Sequence, residues 1–369
     1  MAAYTTIDDP SAYFHTQLYT GDGNDGLAIT NDAASGDFQA DFIWIKSRSL
    51  GSQHVLSDVT RGILKVLNTN SNGVEDSNSE GEMIKTVTSN GFTLGDSQAG
   101  QGDTNSTDGA TYVAWQWKAN GSGSSNTDGT INTTATSANT TAGISISTYT
   151  GTGSNATIGH GLSSAPTFWA VKPRSDVSDN QWFVCHQGLA SDYATDFIHF
   201  DTTGAKQDNA LIWNDIVPTS SVISLGTKDG TNKSSGTYVC YAWHDVQGYS
   251  KFGSYVGNGN ADGPFVYTGF APAYVLRKSV DTTYNWLIQD WERFDKRNTA
   301  ATNRNLAADD TGAEPSSGGF ASNPVDFLSN GFKIRASDGT GNKNADVYIY
   351  AAFAEAPFVN SNGVPCNAR

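Results

Sequence analysis

The chain has 369 residues and a formal net charge of −15, from 22 basic and 37 acidic side chains. This acidic balance argues against a nucleic-acid-binding protein, which needs a basic surface to displace counterions from phosphates. A chain of this length exceeds one comfortable hydrophobic core, so we expect two or three domains.

Cysteine content and the N-terminal sequence bear on the compartment. Three cysteines, Cys185, Cys240 and Cys366, are too few for a disulfide framework and favour folding in a reducing cytoplasm. The first ten residues have neither the basic nor the apolar region of a secretory signal. No apolar run reaches the length of a membrane span. We therefore expect a protein that is neither exported by a standard signal nor inserted in a membrane.

The chain begins with a prefix, residues 1–19, in which Asp9-Pro10-Ser11 has the pattern of a helix start or a turn. The prefix is rich in large apolar side chains, namely Tyr4, Ile7, Tyr13, Phe14, Leu18 and Tyr19. A dispensable terminus is normally polar and disordered. We therefore predict burial, either as a strand added to the chain's own first module or as a segment that docks on a neighbouring protein by β-augmentation. No counterpart is expected before the later modules.

Strand-like motifs follow the prefix, and their order recurs along the chain. A strand that ends in lysine lies at 40–46, 165–172 and 271–278. A second strand follows each of these, at 54–58, 182–186 and 286–290. An Asn-Gly turn that leads into a strand lies at 89–94 and 329–334, and 221–226 takes its place in the middle copy. The fixed order predicts three similar modules.

An aromatic strand closes each copy, at 112–118, 238–244 and 348–354. Large or branched residues stand at every second position, which is the period of a β-strand with one buried face. The copies start 126 (238 − 112) and 110 (348 − 238) residues apart, the size of one small β-domain. Trp115, Trp243 and Phe353 are each expected in the core of their own module.

The stretches between the modules differ in composition. Residues 119–142 are almost entirely Gly, Ser, Thr, Asn and Ala, which indicates a flexible linker or, equally, an extended arm along a neighbour. The second and third modules join through a short aromatic hinge, residues 248–255. The sequence thus predicts an all-β fold of three tandem antiparallel β-sandwich modules. The expected divisions are a prefix (1–19), module 1 (20–118), a linker or arm (119–142), module 2 (143–247), module 3 (251–358) and a C-terminal tail (359–369).

Charged residues recur at matching positions. Asp58-x-x-Arg61 in module 1 matches Asp290-x-x-Arg293 in module 3. These are either ligand-binding ion pairs or structural charge pairs at a strand-to-loop corner, and repetition favours the structural interpretation. The lysines that end the first strands, Lys46, Lys172 and Lys278, could contact an anionic glycan or phosphate. Solvated strand ends and internal pairing fit an acidic chain better.

Other residue types with metal or catalytic chemistry lack the corresponding spacing. Module 2 contains Cys185, His186, His199, Cys240 and His244 without the close pairs of a zinc site, so buried thiols and hydrogen-bonded histidines are expected. Oxygen-rich loops at 21–26, 103–109 and 338–346 do not match an EF-hand. The pairs Asp8-Asp9 and Asp309-Asp310 lie in turn-like sequence, and no motif of a known catalytic class is present. We therefore predict no catalytic, cofactor-binding or metal-binding residues and no cofactor.

Several motifs together resemble a family of repeat-containing virion proteins from marine tailed bacteriophages. The resemblance rests on residues 3–14, 42–48, 58–62, 89–95, 112–118, 145–153, 159–162, 248–253 and 348–355. It implies modules of the concanavalin, laminin-G or jelly-roll type of β-sandwich. Departures lie in Ala40-Asp41, where the other modules have Ala-Pro, and in module 2, which lacks the Asp-x-x-Arg and Asn-Gly-Phe elements. These departures argue against one ligand common to all three modules.

The resemblance implies a non-enzymatic structural protein of the virion, made in the host cytoplasm. The leading interpretation is a tail-fibre or receptor-binding component. The alternatives are a capsid decoration or head-fibre protein and, from another class, a glycan-degrading enzyme of the adsorption apparatus. The implied partners are other virion proteins, copies of the chain itself, and a glycan or protein receptor on the host surface.

Overall fold

The computed structural model describes residues 4–32, 38–77, 81–96, 102–107, 109–293, 304–314 and 323–366. Within these ranges the strands pair antiparallel and dominate the structure, which confirms the all-β fold class. The helical segments are a 3-10 turn (Pro10–Ala12), α1 (Ala210–Trp213), α2 (Asp229–Asn232) and α3 (Gly339–Asn342). None of these helices is long and apolar enough to cross a membrane.

The strands form three sets in chain order, which we call repeats 1, 2 and 3. Repeat 1 contains β1 (Phe14–Thr20), β2 (Leu27–Thr30), β3 (Phe42–Ser47), β4 (Val55–Asp58), β5 (Lys65–Val66), β6 (Asp76–Ser77), β7 (Ile84–Thr88), β8 (Gly91–Leu94) and β9 (Thr111–Trp117). Repeat 2 contains β10 (Ala135–Asn139), β11 (Ile144–Thr150), β12 (Ala156–Gly159), β13 (Phe168–Pro173), β14 (Phe183–His186), β15 (Asp196–His199), β16 (Gln207–Asp208), β17 (Val222–Leu225) and β18 (Thr237–Trp243). Repeat 3 contains β19 (Ser250–Val256), β20 (Phe265–Tyr267), β21 (Phe270–Ser279), β22 (Leu287–Asp290), β23 (Leu306–Ala307), β24 (Val325–Leu328), β25 (Gly331–Ile334) and β26 (Val347–Pro357).

One strand order occurs in three large sheets: β1-β9-β3-β4, β11-β18-β13-β14 and β19-β26-β21-β22. Each aromatic strand lies between the first strand of its repeat and the lysine strand. A smaller sheet accompanies each large one, with the orders β2-β8-β7, β12-β17 and β20-β25-β24. Side chains of the two sheets pack into one apolar cluster; in repeat 1, Phe92 of β8 lies with Ile43 of β3 and Ala114 of β9. Each repeat is therefore a β-sandwich.

The predicted boundary between prefix and module 1 falls inside strand β1. Phe14 lies opposite Trp117 in the same way that Ile144 lies opposite Trp243. The expectation that the prefix has no counterpart in later repeats is therefore wrong for residues 14–19, because β11 and β19 take the same place. These residues form a strand of their own sandwich. The remainder of the described prefix packs on repeat 3, where the Tyr4 hydroxyl donates a 2.8 Å hydrogen bond to the Gly269 carbonyl.

The flexible-linker interpretation of residues 119–142 is also wrong. Strand β10 pairs with β11 and extends the large sheet of repeat 2. The Ile131 amide donates to the Thr157 carbonyl at 3.0 Å, so the segment also joins the edge of the small sheet. A Cβ atom on Gly159 would lie 1.7 Å from the Asn126 side chain, and only glycine admits this close approach. The segment is an ordered arm along the side of its own sandwich.

The aromatic strands bury both of their faces. Trp115, Trp243 and Phe353 are at most 7% exposed, as expected, but they do not lie in the cores of their own sandwiches. They belong to one apolar cluster with members from all three repeats, which we call the central core. The alternate residues on these strands, such as Ala114 and Cys240, face the sandwich cores instead. The division into three domains stays a prediction; the central core packs the three repeats together.

Candidate functional site: the junctions between the repeats

Each pair of repeats meets at a junction, and the three junctions share one kind of hydrogen bond. The residue immediately before β4, β14 or β22 donates from its ring to a backbone carbonyl of the neighbouring repeat. The bonds are His54 Nε2 to Ala307 O, Trp182 Nε1 to Asn68 O and Trp286 Nε1 to His199 O, each 2.9 Å. They run from repeat 1 to 3, from 2 to 1 and from 3 to 2, so they close a ring with pseudo-threefold symmetry.

A second set of bonds follows the same cyclic order. Trp115 Nε1 donates to Asp290 Oδ2 at 2.9 Å, and the Tyr241 hydroxyl donates to Asp58 Oδ2 at 2.7 Å. Repeat 3 has Ala351 at the position of these aromatic residues, so its side chain cannot donate. At the third junction His186 Nε2 donates to the Tyr350 carbonyl at 3.0 Å instead. This bond joins the same two repeats, but its direction is reversed, because the donor belongs to repeat 2 and the acceptor to repeat 3.

The two Asp-x-x-Arg motifs are structural parts of these junctions. Asp58 and Arg61 form an ion pair with both side chains fully buried, and so do Asp290 and Arg293. Burial alone would lower the pKa of Arg61, but Asp58, Tyr241 and Glu75 together outweigh burial and raise that pKa. The pairs are closed to solvent, which is the geometry of the structural interpretation rather than of an open ligand site.

An acidic residue extends each of these two ion pairs into the next repeat. Glu75 accepts from Arg174 Nε at 2.8 Å, and Glu314 accepts from Arg48 Nε at 2.8 Å. The backbone has the same pairing at all three junctions, with Glu75 N to Arg174 O, Glu314 N to Arg48 O and Lys206 N to Val280 O. The third junction, between repeats 3 and 2, thus keeps the backbone bond but replaces the charged network with Leu189, Lys206 and Val280.

The three strand-ending lysines are fully buried, so the expectation of solvated strand ends is wrong. Lys46 Nζ donates to the Ser47 carbonyl at 2.8 Å, Lys172 Nζ donates to the Asn180 carbonyl, and Lys278 Nζ donates to the Ser279 carbonyl at 2.8 Å. Burial lowers the pKa of each lysine to about 8. These ammonium groups cannot reach an anionic glycan while the ring is closed.

The cysteines and histidines of repeat 2 do not converge on one point. Cys185 and Cys240 lie in the sandwich core, while His186 lies in the third junction. His199 bonds through Nδ1 to the Trp182 carbonyl, and His244 through Nδ1 to the Asp245 carbonyl. In the described part of the chain no group of three or more His, Cys, Asp and Glu side chains could hold a metal ion.

The adjacent aspartates accept hydrogen bonds from backbone amides. Asp9 accepts from the Ser11 amide at 3.1 Å, and Asp8 accepts from the Ser361 amide at 2.6 Å. Asp309 accepts from the Trp286 amide at 3.0 Å, and burial raises its pKa to about 6. Asp310 accepts from Gly312 within its own turn. These contacts explain the four carboxylates as turn and strand caps.

A repeated asparagine organises the oxygen-rich loops. Asn105, Asn232 and Asn342 are fully buried, and each side-chain amide bonds backbone groups of two facing loops. Residue 108, in the predicted loop 103–109, lies outside the described residues. Sequence reasoning did not single these asparagines out. The available signal was a buried Tyr six or seven residues later, Tyr112, Tyr238 or Tyr348, at the start of each aromatic strand.

A cavity of about 40 Å³ lies in the central core. Side chains from all three repeats line it, including Trp44, Tyr241 and Ala351. Ala351 explains the empty space, because Trp115 and Tyr241 fill the same position in the other repeats. Apolar and aromatic side chains line the cavity, so it is a packing defect of the central core.

Comparison with known proteins places this arrangement in a family. A family model described as a domain of unknown function, DUF7483, matches residues 9–357. A comparison with curated proteins finds no significant match. The matched range runs from the 3-10 turn at Pro10–Ala12 to the end of β26, so it includes all three repeats. The chain therefore belongs to the DUF7483 family.

Proposed function

We propose that the chain is a non-enzymatic structural protein of a bacteriophage virion, and that it acts in host adsorption as a tail-fibre or receptor-binding component. The resemblance of its motifs to virion proteins of marine tailed phages supports this assignment. The fold is compatible with it, because a β-sandwich places variable loops on a rigid frame, which suits recognition.

The closed ring of junctions is the observation that carries the proposal. Each junction combines a ring N–H to carbonyl bond with a second buried hydrogen bond, and the aromatic core fills the space between the sheets. Such contacts fix the three sandwiches relative to one another, as in a trimer fused into one chain. A rigid unit of this kind can present three sets of loops in constant geometry.

In this proposal the buried motifs and the exposed loops have different roles. Asp58, Asp290 and Lys278 bond across junctions, and these residues, like Lys46 and Lys172, are buried and closed to a receptor. Recognition would therefore use loops and exposed side chains, which differ among the repeats. The proposed partners are other virion proteins, further copies of the chain, and a glycan or protein on the host surface. Contacts between acidic subunits would rest on aromatic and backbone groups and so tolerate salt.

Immunogold electron microscopy tests the proposal on particles of a phage that encodes the chain. Antibody raised against the recombinant protein is expected to label the tail, and antibody pre-absorbed with the protein serves as the control. Label on the head would identify a decoration or head-fibre protein instead. Unlabelled particles from a lysate in which the protein is abundant would overturn the virion assignment.

A glycan-degrading activity has its own test. Purified protein is incubated with host surface polysaccharide, and reducing ends are measured over time. We expect no increase in reducing ends above that of a blank without protein. Turnover that is lost on changing a single Asp or Glu would replace the non-enzymatic proposal.

A further inference from the structure

Two of the six histidines donate from their rings across a junction, in both cases to a backbone carbonyl of repeat 3. His54 belongs to repeat 1 and bonds to Ala307, whereas His186 belongs to repeat 2 and bonds to Tyr350. The junction between repeats 2 and 1 uses other donors in the same places, Trp182 and Tyr241. Repeat 3 is thus held on both sides by an imidazole, the side chain whose ordinary pKa is close to neutral pH.

His186 is neutral in the closed ring. Its Nδ1 accepts from the Gly188 amide at 2.9 Å, so Nε2 must carry the proton that bonds Tyr350. The ring is 1% exposed and packs against Phe168 and Phe252. The titratable side chains on the neighbouring segments are Cys185, Asp245, Lys251 and Tyr350. Burial lowers the pKa of His186 to about 4, against a smaller upward effect of the Tyr350 carbonyl.

His54 has the same bonding pattern in a more positive setting. Its Nδ1 accepts from Trp44 Nε1 at 2.9 Å, which leaves Nε2 as the donor to Ala307. Burial lowers the pKa of His54 well below its ordinary value, and the nearby charges of Lys46 and Arg293 lower it further. The Ala307 and Asp310 backbone groups oppose this shift without reversing it. Protonation would turn Nδ1 of either ring into a second donor. This N–H would then face the Gly188 amide N–H at His186 and the Trp44 indole N–H at His54.

We propose that repeat 3 is an acid-releasable unit, which separates from repeats 1 and 2 when protons bind to His54 and His186 at its two junctions. The junction between repeats 2 and 1 stays closed under the same conditions. Its cross-repeat donors are Trp182 and Tyr241 rather than histidines. Its charged network also resists mild acid, because Arg174 and Arg61 together outweigh the effect of burial and lower the pKa of Glu75. Separation would expose the aromatic face of the central core that repeat 3 covers.

The size of the effect follows from proton linkage. A histidine whose pKa is depressed in the closed state stabilises that state above pH 6.5, and this stability is lost as the pH falls toward the depressed value. With values of about 4 closed and 6.5 exposed, His186 alone makes opening about 20-fold more favourable at pH 5 than at pH 7. His54 acts in the same direction, so its protonation adds to this factor.

Hydrogen exchange measured by mass spectrometry on the full chain at pH 7 and pH 5 tests the proposal, after correction for the intrinsic pH dependence of exchange. Peptides on the faces of repeat 3, residues 249–256 and 304–309, are expected to open at least about 20-fold more often at pH 5. Peptides at the junction of repeats 2 and 1, residues 55–58 and 239–243, should change less than about 3-fold. Equal acceleration in all four peptides would contradict the proposal, and this comparison needs no variant.

Glutamine variants assign the effect to the two rings, since glutamine keeps one donor and one acceptor but does not titrate in this range. The double variant His54→Gln and His186→Gln should lose the pH dependence at repeat 3. His160→Gln is the matched control, because His160 is buried, accepts from the Leu162 amide and has a lowered pKa, but bonds within repeat 2. Retention of the full pH response in the double variant, or its loss in the control, would overturn the assignment.

Discussion

Replacing Asp290 by asparagine removes one charge from the junction between repeats 1 and 3 without changing the shape of the side chain. In the native ring Asp290 Oδ1 accepts from the Arg293 amide at 2.9 Å, and Oδ2 accepts from both Arg293 Nε and Trp115 Nε1. The new amide cannot accept on both sides, because one of its ends is now a donor. Arg293 keeps Glu314 at 3.3 Å and the Ile288 carbonyl at 3.0 Å, but it loses its closest counter-charge in a fully buried place.

We expect Asp290→Asn to reduce the free energy of unfolding by about 3–5 kcal/mol, the range for breaking a buried ion pair from one side. Urea unfolding at pH 7.5, followed by tryptophan fluorescence, measures this change as a shift in midpoint at constant slope. Asp262→Asn is the matched control, since the Asp262 side chain is 77% exposed although it contacts Lys333 and Arg335. Asp262→Asn should reduce the free energy of unfolding by no more than about 1 kcal/mol. A change below about 1 kcal/mol for Asp290→Asn would refute the role assigned to the junctions.

The buried lysines predict that alkaline pH stabilises the protein. Their pKa is about 8 in the folded protein and 10.5 in the unfolded chain. The free-energy cost of burying their charge is therefore present at pH 7 and disappears as the pH rises from 8 toward 10.5. The free energy of unfolding from urea titrations should therefore rise by about 1–2 kcal/mol per lysine between pH 8 and 9.5, and Lys172→Met should show a smaller rise. A flat profile in the native protein would contradict this. Ala351→Val should fill the central cavity of about 40 Å³ and add about 1 kcal/mol to the thermal stability, at about 24 cal/mol per Å³. Ala352→Val, on the opposite face of the same strand in the core of repeat 3, should instead lose about 1–3 kcal/mol through overpacking, and an equal effect of both changes would show that the cavity plays no part.

The strands themselves could be predicted, because their signal is local. The alternation in residues 112–118, 238–244 and 348–354 gave β9, β18 and most of β26, and the lysine motifs gave β3, β13 and β21. The direction in which each face points could not be predicted in the same way. Both faces of β9 are buried, and the smaller Ala114 and the polar Gln116 on one face, against Trp115 on the other, distinguish the sandwich core from the central core.

The buried polar residues were harder to predict because their partners are distant in sequence. Lys278 bonds the Thr203 carbonyl from repeat 2, and Trp115 bonds Asp290. A lysine at a strand end has no local feature that separates a solvated ammonium from one enclosed by carbonyl groups. The flexible-linker prediction for residues 119–142 was wrong for a related reason. Its composition is that of a linker, but its order depends on backbone bonds to the edges of β11 and β12.

Differential scanning calorimetry of the full chain at pH 7.5 tests most directly whether the three repeats share one core. One core predicts a single cooperative transition for all 369 residues, with a calorimetric enthalpy of about 250 kcal/mol near 60 °C and an equal van't Hoff enthalpy. Three independent sandwiches would give separate transitions, or a van't Hoff enthalpy near one third of the calorimetric value. Either of these results would contradict the closed ring.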